Sequence, residues 1–440
     1  MSNTEQKNPW WWVPTLYFAE GVPYFVVNNI SVMMFTKMGV PNGDMSFFTT
    51  LLYFPWFLKG LWGPIVDVVK TKRWWIVSMQ VLLTALMVIL TITLPKPDVQ
   101  TIASGQTPIS MFTFTLVLFI IAAFASATHD IAADGYYMLA HSPSSQAAFI
   151  GVRSTFYRIA SVFGQGVLVA IAGFIEANKT ENIPLSWQVT LGVSAVVFLL
   201  ITLYHLYVLP RSADDKPRIS GDASATSGLA ELANSFVSFV KKPGFILAIA
   251  FMLLYRLPEG FLIKLCMPFL VQPTTAGGLG LSTETVGIVY GTFGVVALLG
   301  GGIVGGVFAS RVGLKKALWW MAGGMTLPCL TFVYLAIAQP TNVAIITVAL
   351  CIEQFGYGFG FTAYMLYMMY YSEGEFKTSH YAICTAFMAL SMMLPGFVAG
   401  YIQEAIGYVN FFWMVMACCV ATLVVTVLVY RVIDPNYGRK

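Results

Sequence analysis

Glu20, Lys59, His129, Asp130, Asp134, Arg153, Arg158, Arg256, Glu259, Lys264 and Glu353 all fall deep inside long apolar runs of this 440-residue chain. A charge at the centre of a bilayer costs about 3 kcal/mol or more, so it faces a partner or a water-filled cavity. Asp130 and Asp134 are four residues apart and share a helix face, as do Arg153 and Tyr157. Two carboxylates on one helix and guanidiniums (Arg153, Arg158) on the next can neutralise one another in low dielectric. The arrangement reads in two ways. It is an ion-pair network that clamps helices, or a carboxylate there exchanges an arginine for a proton. Glu20, Tyr24 and Asn28 form a polar face at i, i+4 and i+8. Arg256, Glu259 and Lys264 surround Pro258, which frees a backbone carbonyl and kinks a helix. Glu353 opens Glu353-Gln354-Phe-Gly-Tyr357-Gly-Phe-Gly360, with Tyr364 a turn beyond. These glycines indicate close helix packing, and no strand precedes them as a nucleotide loop requires. The tyrosines are bundle core or a platform for a planar or sugar-containing ligand. Lys59 either snorkels to the membrane surface or faces a ligand.

The elements that carry these residues are membrane helices. Hydrophobic residues make up 58% of the chain and charged residues 10%, with a mean hydropathy of +0.75. So little charge excludes a soluble globular protein and makes the lipid bilayer the solvent for most of the surface. Twelve apolar stretches reach the ~20 residues that span a bilayer: 11–36, 44–68, 74–94, 110–139, 147–175 and 187–209, then 244–271, 284–309, 315–338, 342–371, 380–404 and 408–431. These are spans 1 to 12 below. Apart from the cations within spans, only Lys37, Lys96 and Lys179 fall on the side opposite the termini, which places both termini and the central loop in the cytoplasm. Deep charges on spans 1, 2, 4, 5, 7 and 10 suggest one polar cavity enclosed by helices, the layout of a transporter.

The chain divides into an N-terminal six-helix bundle (1–209), a polar linker (210–243) and a C-terminal six-helix bundle (244–440). Within the linker, Leu229, Leu232, Phe236, Phe239 and Val240 follow a helical spacing that suits a short amphipathic helix on the membrane surface. The halves echo each other. Phe18-Ala-Glu20-Gly21-Val-Pro23 answers to Leu257-Pro258-Glu259-Gly260-Phe261, and Gly63-Pro-Ile-Val-Asp67 with Lys70, Lys72 and Arg73 answers to Gly306 through Lys316, including Arg311. Two such pairs in the same order suggest parallel six-helix repeats with a ligand site at their interface. The six cysteines lie in or near apolar spans without CxxC spacing, so no metal, cofactor or disulfide framework is expected. Nothing suggests a nucleic-acid partner.

The segment from Gly63 to Arg73 resembles the helix 2–3 loop of the major facilitator superfamily, where Gly63, Asp67 and Arg73, with Arg311 in the second half, would act as gating residues. More specifically, Phe18 to Pro23, Lys59-Gly-Leu-Trp62-Gly-Pro64-Ile-Val-Asp67, Ser126-Ala-Thr-His-Asp130-Ile-Ala-Ala-Asp134, Tyr157-Arg158, Tyr255 to Glu259, Gly358-Phe-Gly360-Phe-Thr-Ala363 and Pro395-Gly-Phe-Val-Ala-Gly400 resemble the AmpG-like muropeptide permeases, relatives of acetyl-CoA transporters. The resemblance implies an all-α membrane protein of major facilitator fold in the bacterial inner membrane, a monomer. It also implies proton-driven import of peptidoglycan-derived amino-sugar fragments for cell-wall recycling. Glu20, His129, Arg256-Leu-Pro-Glu259 and His380 depart from the family pattern. A related acidic saccharide, such as a uronic-acid disaccharide, is therefore a second candidate substrate. On this reading Arg158, Arg256 and Lys264 bind substrate with His129, Tyr157, Tyr24, Asn28, Tyr357 and Tyr364. Asp130, Asp134 and Glu259 carry the coupling proton, with Glu20 and Glu353 next. A membrane acyltransferase with His129 as base and Asp130 as orienter is the rival from another class, and mid-helix placement disfavours it.

Overall fold

Lipid offers no hydrogen bonds to the backbone, so apolar runs of this length must satisfy their own amides as helices. The computed structural model describes residues 8–140, 143–178, 182–211, 215, 225–374, 377–435 and 437. Every regular element among them is helical. Side chains of some further residues, Asp67, Leu229 and Leu232 among them, lie outside the description, as does Lys179.

Among the described residues, nine helical stretches are long and apolar enough to cross a membrane. Several of the twelve expected spans are interrupted. Span 1 begins as helix Val13–Phe25, loosens into a π turn at Val26–Ile30 after Pro23, and resumes as Ser31–Lys37. Proline cannot donate to the helical ladder, and the wider turn follows it. Span 2 is divided into Asn42–Leu51 and Phe54–Val68. Spans 11 and 12 run together as Lys377–Tyr430, interrupted where Gly407 takes φ 75°, a left-handed conformation that glycine tolerates. Span 7 breaks at Arg256 (φ −102°, ψ 10°), two residues before Pro258, into Phe245–Leu254 and Leu257–Val271.

The chain forms two compact units, Met1–Val40 with Leu51–Ala225, and Pro41–Thr50 with Thr226–Lys440. In the first, Trp12, Leu16, Tyr17, Ile76, Ala133 and Tyr136 form a buried core. In the second, Phe251, Tyr255, Tyr364 and Tyr367 centre a larger one. Large apolar side chains also line the outside, among them Ile92, Trp320 and Ile246. Exposure on this scale suits lipid rather than water.

The second unit takes in the first turns of span 2. Asn42 donates to Gln403 (2.7 Å) and Gln272 (3.2 Å), and the Gly43 amide donates to Glu404 (2.9 Å). Ser46 hydroxyl donates to the Gly396 carbonyl. A Cβ at Gly400 would overlap the Asn42 carbonyl, a backbone group that cannot turn aside. Gly400→Ala is therefore expected to destabilise the protein by about 2 kcal/mol, read as a lowered thermal midpoint in detergent.

Linker helix Ala225–Val240 packs on the same unit through Phe239, which meets Tyr371 edge-on at 5.4 Å and His380 at 5.5 Å. Phe236, Val237 and Val240 stay exposed beside it. Lys242 donates to the Tyr371 and Glu373 carbonyls and so caps the C-terminal end of helix Val343–Ser372. Burial lowers the Lys242 ammonium below its ordinary pKa.

Candidate functional site

Four helices of the first unit bring three carboxyls and two cations together. Span 4, helix Thr113–Ala140, carries Asp130 and Asp134; Phe54–Val68 supplies Lys59, Pro143–Ser161 supplies Arg153, and Val13–Phe25 supplies Tyr17 and Glu20. Lys59 pairs with Asp130 at 2.5 Å and Arg153 with Asp134 at 2.6 Å. The Tyr17 hydroxyl donates to Asp134 (3.2 Å), and the Arg153 guanidinium lies 4.5 Å over the Tyr17 ring. Glu20, 7% exposed, feels the charges of Asp130 and Asp134, and its Oε2 is buried without a hydrogen-bond partner. The two paired cations belong to the two aspartates, and Glu20 is the surplus carboxyl of the cluster. Like charges brought together out of water favour a proton on one of the carboxyls.

The expected polar face of span 1 divides. Glu20 joins the cluster, whereas the Asn28 amide donates to the Tyr24 carbonyl (3.2 Å) and the Tyr24 ring sits edge-on to Trp56 at 5.0 Å. Tyr157 is half-buried, its ring 5.7 Å from that of Phe25. Arg158 is exposed and makes none of the ion pairs seen among the described residues. His129 is 1% exposed and bonds to Gln80 on span 3. Arg73 donates to the Leu206 (2.7 Å) and Leu209 (3.1 Å) carbonyls, so it caps the end of span 6. Asp215 accepts from the amides of Lys72 (2.6 Å) and Arg73 (3.0 Å), the first turn of helix Lys72–Thr93. Gly63 has open space around it and Arg311 is exposed.

The second unit holds a separate set. Arg256 emerges at the break in span 7, with its guanidinium 4.7 Å over the Phe361 ring, 5.5 Å from Tyr357 and 5.6 Å from Tyr364. It also donates to the Tyr357 hydroxyl at 2.5 Å. Tyr364 is held in turn by the Met252 carbonyl at 2.7 Å. A guanidinium stacked on aromatic faces donates through its in-plane N–H edges, here to the Tyr357 hydroxyl. Glu259 and Glu353 are both buried and interact electrostatically. The Arg256 charge acts on Glu259, and Gln354 donates to Glu353 (2.9 Å). Lys264 is buried on the same helix as Glu259. Among the described residues no group of three His, Cys, Asp or Glu is placed to hold a metal ion, and each of the six cysteines is a free thiol.

Tyr17, Gln80 and Phe361 were not expected as parts of these sets. Tyr17 lies one turn before Glu20, and Phe361 four residues after Tyr357, so helical spacing marks both. Gln80 carries no comparable signal.

A putative transporter AmpG 4 from Rickettsia conorii is 25% identical over 409 residues, covering 90% of each chain. An uncharacterized protein from Haemophilus influenzae is 23% identical over 410 residues, covering 90% of this chain and 88% of its own. Among solved structures, a D-xylose–proton symporter superposes with TM-score 0.69 at 14% identity, covering 97% and 98% of the two chains. The nucleoside transporter NupG gives 0.67 at 15%, covering 98% and 99%. Residues 15–379 match the Major Facilitator Superfamily sequence profile. The chain belongs to that superfamily, a multi-pass membrane transporter rather than an enzyme.

Proposed function

We propose that this protein is a proton-coupled symporter that imports peptidoglycan-derived amino-sugar fragments, with or without peptide, across the bacterial inner membrane by alternating access, as a monomer with both termini cytoplasmic. The surplus carboxyl carries the coupling half of this reading. Glu20 lies against Asp130 while Lys59 and Arg153 are engaged by the two aspartates, so a proton is what the cluster can gain or lose. Asp130, Asp134 and Glu20 then form the proton site, with Glu259 and Glu353 as a second carboxyl pair. Arg256 in its aromatic cage and buried Lys264 supply cations for the carboxylate and acetamido groups of the substrate. The motif resemblance to AmpG-like muropeptide permeases supports the substrate class, and relatives named as putative AmpG transporters support transport.

The test is uptake of labelled N-acetylglucosaminyl-anhydro-N-acetylmuramic acid into proteoliposomes, with and without an acid-outside pH gradient. Accumulation that needs the gradient is the expected outcome. Gradient-dependent accumulation of a uronic-acid disaccharide instead would keep the coupling and replace the substrate.

A further inference from the structure

Behind the carboxyl cluster, the first unit contains a polar chain whose glutamine and histidines are buried. The Gln80 side-chain nitrogen lies 3.0 Å from His129 Nε2 and 2.8 Å from His205 Nδ1. His205 Nε2 lies 2.9 Å from the Thr15 hydroxyl, which donates to the Trp12 carbonyl at 3.2 Å. Gln80 and His205 are 0% exposed and His129 is 1% exposed. Three spans and the start of a fourth meet at this chain.

The proton position on His129 follows from these contacts. The Gln80 –NH2 can only donate, so His129 Nε2 accepts from it and His129 is protonated on Nδ1. His205 Nδ1 meets both ends of the same amide, the nitrogen at 2.8 Å and the oxygen at 3.1 Å, so it accepts from the one or donates to the other. One amide thus holds both imidazoles.

Successive residues on a helix turn by about 100°, so the side chain before Asp130 sets which way Asp130 faces. Around span 4 the order is Thr128 accepting from Trp62 (3.2 Å), His129 on Gln80, Asp130 on Lys59 and Asp134 on Arg153. Releasing His129 inside an apolar bundle leaves a buried polar ring without its partner, an outcome the helix avoids by turning.

We propose that Gln80 is the positioning residue of the span-4 carboxylates: through His129 and His205 it sets the rotation of span 4 that presents Asp130 to Lys59. The proposal rests on Asp130 belonging to the proton site, but its readouts need no substrate. The four histidines, His129, His141, His205 and His380, make selective labelling tractable. In nitrogen-15 histidine spectra of the full protein in lipid nanodiscs, His129 is expected as the Nδ1–H tautomer. In Gln80→Leu it becomes a tautomer mixture. The positioning itself is read by amine acetylation and mass spectrometry, with exposed Lys96 as internal reference. Lys59 is expected to label slowly in the wild type and several-fold faster in Gln80→Leu, as its carboxylate turns away. His129→Gln keeps a donor and an acceptor and should label as slowly as the wild type, whereas His129→Leu should label fast. The two His129 variants decide the matter if Gln80→Leu does not fold. Wild-type Lys59 labelling in Gln80→Leu, or in His129→Leu, overturns the positioning role, and a wild-type His129 protonated on Nε2 overturns the chain of donors. Failure of muropeptide uptake would leave these measurements standing.

Discussion

Glu20→Gln is expected to uncouple transport from the proton gradient while leaving exchange of substrate across the membrane intact. One pH unit is worth about 1.4 kcal/mol, roughly a tenfold concentration ratio for one proton per solute, so accumulation should fall from about tenfold to about one. The reason is local. Lys59 and Arg153 already hold Asp130 and Asp134, and replacing the Glu20 carboxyl by an amide keeps a polar group of the same size beside them while removing the exchangeable proton. The measurement is accumulation against an imposed gradient, set beside counterflow with the same labelled muropeptide. Asp134→Asn should stop accumulation too, but by another route. It strips Arg153 of its carboxylate and the Tyr17 hydroxyl of its acceptor, so counterflow should fall as well. Full accumulation in Glu20→Gln would move the proton to Glu259 and Glu353.

The sequence exposes the charges of this site better than their partners. A carboxylate or guanidinium in an apolar run stands out because the bilayer penalises it, and that logic finds Glu20, Asp130, Asp134, Arg153, Arg256 and Glu353 without any structure. Pro258 likewise marks the break that frees Arg256. Partner choice depends on helix rotation and on which spans are neighbours, neither of which periodicity resolves. Asp130 and Asp134 share a face in sequence yet engage different cations from different helices. Arg158, five residues beyond Arg153, lies exposed, and His129 turns towards Gln80. Span 2 is one apolar run, but its first turns pack with the second unit. Close approaches such as Gly400 on the Asn42 carbonyl join residues far apart in sequence, so no local pattern announces them.

Arg256 is where charge and shape separate most clearly. Arg256→Lys keeps the cation but loses the planar stack on Phe361 and Tyr364 and the in-plane pair of donors, so the half-saturation concentration should rise about tenfold to hundredfold. Arg256→Leu also removes the cation that acts on buried Glu259, and should lower the thermal midpoint. The double substitution Arg256→Leu with Glu259→Leu takes both charges away and should recover much of the thermal midpoint. Uptake should stay lost, because the anion's partner is gone. Recovery of stability with both uptake and counterflow lost assigns Arg256 to the substrate, because loss of a coupling carboxyl at Glu259 alone would spare counterflow. Recovery of stability and uptake together would make Arg256 and Glu259 a structural pair and place substrate recognition on Lys264 and its neighbours.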